Sequence, residues 1–216
     1  PLHPNQVGYN KMAPVWFAEL DKLLSVQPVS PPDTQAPETT IASKPAALTN
    51  SSSATFSFTS NESEVVYLVG IDGASFVQVS TPYTVNGLED GAHTIEVKAK
   101  DAAGNIDASP ATYTWTIDTK APAAPVVLSP KEGSLLRDNK PAITGNAEAN
   151  ATVTILNGTT QVGTTTADAS GNWAFTPATA LADGSQQLTA KATDAAGNTG
   201  SASSLRRFTI DTKAPE

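Results

Sequence analysis

The chain has 216 residues, 16% of them charged, with a formal net charge of −8 and no cysteine. That acidic balance argues against nucleic acid and anionic membrane surfaces as partners, since both require clustered Lys and Arg. The 39% hydrophobic share gathers in no apolar run of the ~18 residues that membrane insertion needs, and without cysteine any stability outside the cell must come from packing.

In chain order, residues 1–27 stand apart from the rest of the chain. Asn5 is a suitable N-cap. Val7, Val15, Trp16, Leu20, Leu23 and Leu24 line one side of a predicted helix that runs to about Ser25, with Pro14 as its kink. The run Pro1-Leu2-His3-Pro4-Asn5-Gln6-Val7-Gly8-Tyr9-Asn10-Lys11-Met12-Ala13 resembles the C-terminal block of SGNH (GDSL-type) esterases. In that family an Asp-x-x-His-Pro-Asn-x-x-Gly-Tyr-x-x-Met-Ala segment enters the last helix. The resemblance implies that His3 is the remnant of a catalytic general base, oriented by an aspartate immediately before Pro1 and serving a serine far upstream. The expectation is a chain that starts within a longer protein, with an upstream esterase domain as partner. Taken without that context, a histidine near a chain end is a surface residue. Either way, a histidine without its serine and aspartate has no proton relay, so the chain alone is expected to be no enzyme and to require no cofactor.

Residues 28–37 hold four prolines, at 28, 31, 32 and 37. Such a stretch favours extended polyproline geometry and acts as a semi-rigid spacer.

From there on the chain repeats itself. Asp-Thr-x-Ala-Pro occurs at Asp33–Pro37, Asp118–Pro122 and Asp211–Pro215, and the segment Asp90–Asn105 matches Asp183–Asn198. The repeat defines two units, at residues 38–120 and 121–216. Within them Ala54, Phe56 and Phe58 alternate with Thr55, Ser57 and Thr59. His93, Ile95, Val97 and Ala99 do the same, as do Tyr113, Trp115 and Ile117. The second unit repeats the scheme with Val153 and Ile155, Trp173 and Phe175, Leu188, Ala190 and Ala192, and Phe208 and Ile210. A period of two places these side chains on one face of a strand. Asp72-Gly73, Asn86-Gly87, Asp90-Gly91, Asn157-Gly158 and Asp183-Gly184 read as turns, because these residues tolerate positive φ. The predicted fold class is all-β: two tandem Ig-like antiparallel β-sandwiches with a short N-terminal helix and a Pro-rich linker.

The strand Ser53–Phe58, the Asp-Gly-x-His/Gln strand, the Asp-Ala-Ala-Gly-Asn turns and the Thr-Ile-Asp-Thr-x-Ala-Pro exits resemble bacterial Ig-like domains of large surface adhesins and multidomain secreted enzymes. The resemblance implies a secreted or cell-surface bacterial protein. In the first unit, Val69 and Val79 fall where many relatives carry a cysteine pair, which implies that packing of two valines replaces the cross-link.

The residues support three site readings. In a tandem Ig-like array the end of one domain faces a loop of the next, which would bring Asp118 to Asp194 and Asn198, and Asp33 to Asp101 and Asn105. These oxygens suit a structural Ca²⁺. The same Asp and Asn flanking Ala-Ala-Gly also suit a turn held by its own side chains, and both readings stay open. A polysaccharide or cell-surface ligand could stack on aromatics: Trp115 and Trp173 read as core, whereas Phe76 and Tyr83 lie near turns. Asn50, Asn61, Asn150 and Asn157 begin glycosylation sequons, which the bacterial resemblance leaves unmodified. The functions in play are a spacer and adhesion tail of a secreted esterase, the C-terminal part of an active SGNH hydrolase, and a carbohydrate-binding module.

Overall fold

A computed structural model describes Trp16, Leu20, Lys22 and residues 31–214. The chain divides into two compact units, Pro1–Gln35 and Ala36–Glu216. In the first, Trp16, Leu20 and Lys22 are helical and exposed. The other residues of the expected helix face, and His3, lie outside the described residues. Residues 31–35 form no regular element, and the Gln35 N–H donates to Asp33 Oδ1 at 3.0 Å.

The second unit is built of strands. β1 (Thr39–Ser43), β2 (Leu48–Thr49), β3 (Ala54–Ser60), β4 (Val66–Ile71), β5 (Val77–Val79), β6 (Tyr83–Val85), β7 (Gly91–Lys100) and β8 (Ala111–Ile117) come first. β9 (Val126–Ser129), β10 (Leu135–Leu136), β11 (Ile143–Asn146), β12 (Thr152–Asn157), β13 (Thr160–Thr166), β14 (Asn172–Phe175), β15 (Gly184–Thr193) and β16 (Arg206–Ile210) come next. The first eight form a five-stranded sheet, β2-β8-β7-β4-β5, and a three-stranded one, β1-β3-β6. The last eight repeat that connectivity strand for strand, as β10-β16-β15-β12-β13 and β14-β11-β9.

Each sandwich has its own core, and the alternating residues supply it. Phe56, Phe58, Val69, Ile95, Val97, Trp115 and Ile117 fill the first; Ile143, Val153, Ile155, Trp173, Leu188, Phe208 and Ile210 fill the second. Phe56 meets Trp115 edge to face, with centroids 5.2 Å apart. Burying each such side chain contributes about 1.5–3 kcal/mol. Val69 lies opposite Val77 and Val79 opposite Tyr67, so Val69 and Val79 are diagonal neighbours on the core face of β4 and β5.

Within these antiparallel sandwiches two short edge pairings are parallel. β2 pairs with β8 in parallel (Leu48↔Thr116), and β10 with β16 in parallel (Leu135↔Thr209). In the first sandwich the opening strand is interrupted at Pro45, whose ring removes a ladder N–H. The chain then crosses to the opposite sheet, where it runs alongside the last strand. Tyr113 Oη donates to the Pro45 carbonyl at 2.9 Å and Thr116 N donates to the Ala47 carbonyl at 2.8 Å, fixing the crossing.

The Asn/Asp-Gly pairs divide by position. Asp72 (φ 52°) and Gly73 (φ 77°) turn between β4 and β5, closed by Ala74 N donating to Ile71 O at 2.9 Å. Two positive φ values give the tight hairpin geometry that matches strand twist. Gly91 and Gly184, by contrast, are the first residues of long strands.

The candidate functional site at the joint between the sandwiches

The Asp-Thr-x-Ala-Pro repeat is a clamp for the end of a sandwich. Asp118 N donates to the Thr49 carbonyl at 2.9 Å, and Asp118 Oδ1 accepts from Lys120 N at 3.0 Å. Thr119 gives its N–H and hydroxyl to Asp90 Oδ1, at 3.0 and 2.8 Å. The second sandwich repeats each contact: Asp211 N to Leu136 O, Lys213 N to Asp211 Oδ1, and Thr212 N and Oγ1 to Asp183. The aspartate of the Asp-Gly pair therefore anchors the threonine that leaves the same sandwich.

The Asp-Ala-Ala-Gly-Asn segments form self-held turns. Asn198 donates its N–H to Asp194 Oδ1 and its Nδ2 to Asp194 Oδ2, both at 2.8 Å. Asn105 does the same to Asp101, both at 2.7 Å. Gly104 (φ 98°) and Gly197 (φ 95°) adopt the backbone region that glycine tolerates best. Burial alone would raise the Asp194 carboxyl, but the Asn198 side chain and the amides of Asn198, Gly197 and Ala196 outweigh it and hold it below the usual carboxylate range. Asp101 is held down in the same way by Asn105, Gly104 and Ala103.

At the joint the two motifs meet. Asn198 Nδ2 also donates to the Asp118 carbonyl at 2.7 Å, so one amide nitrogen ties the exit of the first sandwich to a turn of the second. Gly200, two residues on, packs so closely on the linker that a Cβ there would collide with the Pro122 carbonyl oxygen. Pro122 and Pro125 are buried. The structure brings Asp118, Asp194 and Asn198 together through the Asp118 carbonyl. The Asp118 carboxylate turns back onto its own chain. The donor between the oxygens is an N–H group.

The aromatic and sequon residues have other places. Trp115 and Trp173 are core residues, 1% and 4% exposed, and offer no ring face to a ligand. Tyr83 packs against the first core. Phe76 is partly exposed, with Lys98 Nζ 4.7 Å from its ring centroid. Two sequon asparagines have structural work: Asn61 Oδ1 accepts from Glu38 N at 2.7 Å, and Asn157 Nδ2 donates to Gln186 Oε1 at 2.7 Å.

Sequence reasoning passed over three features. Asp168-Ala169-Ser170-Gly171-Asn172 is a further copy of the self-held turn, with Asn172 N donating to Asp168 Oδ1 at 2.9 Å and Gly171 at φ 82°. Its Asp-x-x-Gly-Asn spacing was there to be read. Asp107 is buried and accepts from Thr39 N at 3.0 Å and Ser109 N at 2.8 Å. His93 joins Asp72 to the Glu89 carbonyl.

A fold of this kind, with these motifs in place, is that of tandem Ig-like modules. The family model described as bacterial Ig-like domain matches residues 26–119 and 130–212, and the chain belongs to that family. It is 29% identical over 205 residues to exoglucanase B of Cellulomonas fimi, a match covering 87% of this chain and 18% of that enzyme's length. The solved fibronectin(III)-like modules of Clostridium thermocellum CbhA share the fold, with a TM-score of 0.54 and 17% identity over 81% of this chain and 94% of theirs. Among the described residues no helix is long and apolar enough to cross a membrane.

Proposed function

We propose that the chain is a non-catalytic spacer and adhesion tail of a secreted bacterial hydrolase, setting the distance between a catalytic domain and the cell surface or an insoluble substrate. The observation that carries this reading is the joint. Two sandwiches are connected by a short, proline-containing linker whose backbone is bonded and packed against the second sandwich through Asn198 and Gly200. Prolines limit the linker's freedom, and a bridging hydrogen bond with close backbone packing resists bending. The likeness to part of an exoglucanase supports attachment to an extracellular polymer-degrading enzyme. The run around His3 supports an SGNH-type ester hydrolase as that parent, with polysaccharide or a cell surface as the tail's contact. Sequencing the gene upstream of Pro1 tests the parent: a Gly-Asp-Ser motif in an esterase-length region is expected, and a different catalytic domain would replace it. Incubation with insoluble cellulose, xylan and chitin tests the tail. A spacer stays in the supernatant, whereas saturable retention would identify a carbohydrate-binding module instead.

A structural Ca²⁺ is a second reading of the joint. The Asp118 carbonyl and the Asp194 carboxylate, contributed by different sandwiches, both lie within hydrogen-bond distance of one nitrogen. A cation replacing that nitrogen would meet hard oxygen ligands from both sides. Binding to the aligned pair would raise the melting temperature by linkage, and the shift would vanish in Asp194→Ala but persist in Asp118→Ala, which keeps the backbone carbonyl. Identical curves in calcium and in chelator would leave the hydrogen-bonded turn as the full account.

A further inference from the structure

We propose that His93 is a pH-sensitive latch that tightens the exit of the first sandwich in acid and releases it in mild base. Both ring nitrogens face acceptors. Nδ1 lies 2.7 Å from Asp72 Oδ2 in the β4–β5 turn, and Nε2 lies 2.8 Å from the Glu89 carbonyl oxygen in the loop before β7. Satisfying both requires two N–H groups, which only the imidazolium has. Asp72 is itself oriented, since its Oδ1 accepts from Thr94 N at 2.7 Å.

The second sandwich contains the same arrangement without charge. Gln186 takes the place of His93, donating from Nε2 to the Ala182 carbonyl at 2.7 Å while its Oε1 accepts from Asn157 at 2.7 Å. Asn157-Gly158 closes the β12–β13 hairpin as Asp72-Gly73 turns between β4 and β5. An amide pair can fill both positions at any pH. The first sandwich uses an ionisable pair for the same geometry, so its version depends on proton concentration.

The release has a direction. Among the elements packed on the ring, the β4–β5 turn presents Asp72, and β8 presents the uncharged Trp115, with centroids 5.6 Å apart. The preceding loop presents the Glu89 carbonyl, with Asp90 beside it turned to Thr119. When the ring loses a proton, the charged Asp72 retains the remaining N–H on Nδ1, and a bare Nε2 faces the Glu89 oxygen lone pair against lone pair. The Glu89–Asp90 peptide is then no longer held. Asp90 is the residue whose carboxylate clamps Thr119 at the start of the linker. The bonds from Glu89 and Asp72 also raise the His93 pKa above its ordinary value, against a smaller opposing effect of burial. A raised value means that the contribution is complete below about pH 6.5 and disappears as pH climbs through the folded-state value.

The test is a nuclear magnetic resonance titration of the intact chain between about pH 5.5 and 8.5, with His3→Gln used to tell the two histidines apart. The expected results are a His93 midpoint above the ordinary value and a several-fold fall in the Thr119 amide protection factor across that midpoint. The Asp72→Asn/His93→Gln double variant, which copies the second sandwich, should keep Thr119 protection flat over the same range. A His93 midpoint at or below the ordinary value, pH-independent protection in the native chain, or undiminished pH dependence in the double variant would each overturn the latch.

Discussion

Asp107 and Gly200 occupy the same place in the two repeats, each donating its N–H to the strand before it, Asp107 to Ala99 O at 3.0 Å and Gly200 to Ala192 O at 2.9 Å. Their side chains part company there. Asp107 reaches Thr39, at the beginning of its sandwich, through a carboxylate. Gly200 has no side chain, and the linker backbone at Pro122 fills the space. One repeat holds its entering segment by a buried acid, and the other by backbone contact.

The Gly200 contact is steric, since its φ is not in the left-handed region. Gly200→Ala should therefore push the linker away, at a cost of about 1–3 kcal/mol, as overpacking a close contact does. Urea unfolding monitored by Trp fluorescence checks the cost. A change below about 0.5 kcal/mol, the size of an ordinary surface substitution, would show that the linker yields freely.

Gly197 makes the contrasting case. A Cβ there meets nothing closer than the Asn50 side chain at 3.6 Å, yet its φ is +95°. Gly197→Ala should cost about 1–2 kcal/mol through backbone strain alone, with little displacement of the linker. Amide chemical shifts at Pro122 neighbours Ala121 and Ala123 should move in Gly200→Ala and stay close to native in Gly197→Ala.

Asp107→Ala leaves the Thr39 and Ser109 amides without their acceptor, which should cost about 1–3 kcal/mol at neutral pH. Burial alone would raise the Asp107 carboxyl, but Thr39 and Ser109 donate to it and lower it. A lowered value means the stabilisation is present above the ordinary carboxylate range and is lost as pH falls through the folded value. Asp107→Asn should therefore show a shallower loss of stability below about pH 4 than the native chain, measured by urea unfolding across an acid series.

Much of the fold was legible in the sequence because period-two alternation depends on side chains alone. Phe56, Trp115, Ile155 and Phe208 are buried where that alternation places them. The two parallel pairings were not legible, because Leu48–Thr49 and Leu135–Leu136 are two-residue strands whose partners are chosen by the crossing at the sandwich edge. Composition likewise hides the difference between an aspartate that turns on its own chain, as Asp118 does, and one that holds a distant segment, as Asp107 does. The likeness of the Asp-Gly-x-His and Asp-Gly-x-Gln strands was visible at once. That each ring or amide bonds the carbonyl four residues back becomes visible only when Glu89 and Ala182 are located.

Stiffness of the joint between the two sandwiches is measurable by pulsed dipolar spectroscopy between spin labels on exposed strands, at Thr112→Cys and Gln187→Cys in this cysteine-free chain. A hydrogen-bonded, closely packed joint gives one narrow distance distribution in the native chain, which broadens in Asn198→Ala as the bond to the Asp118 carbonyl is lost while both cores stay folded. A broad distribution in the native chain, unchanged by Asn198→Ala, would contradict a stiff joint.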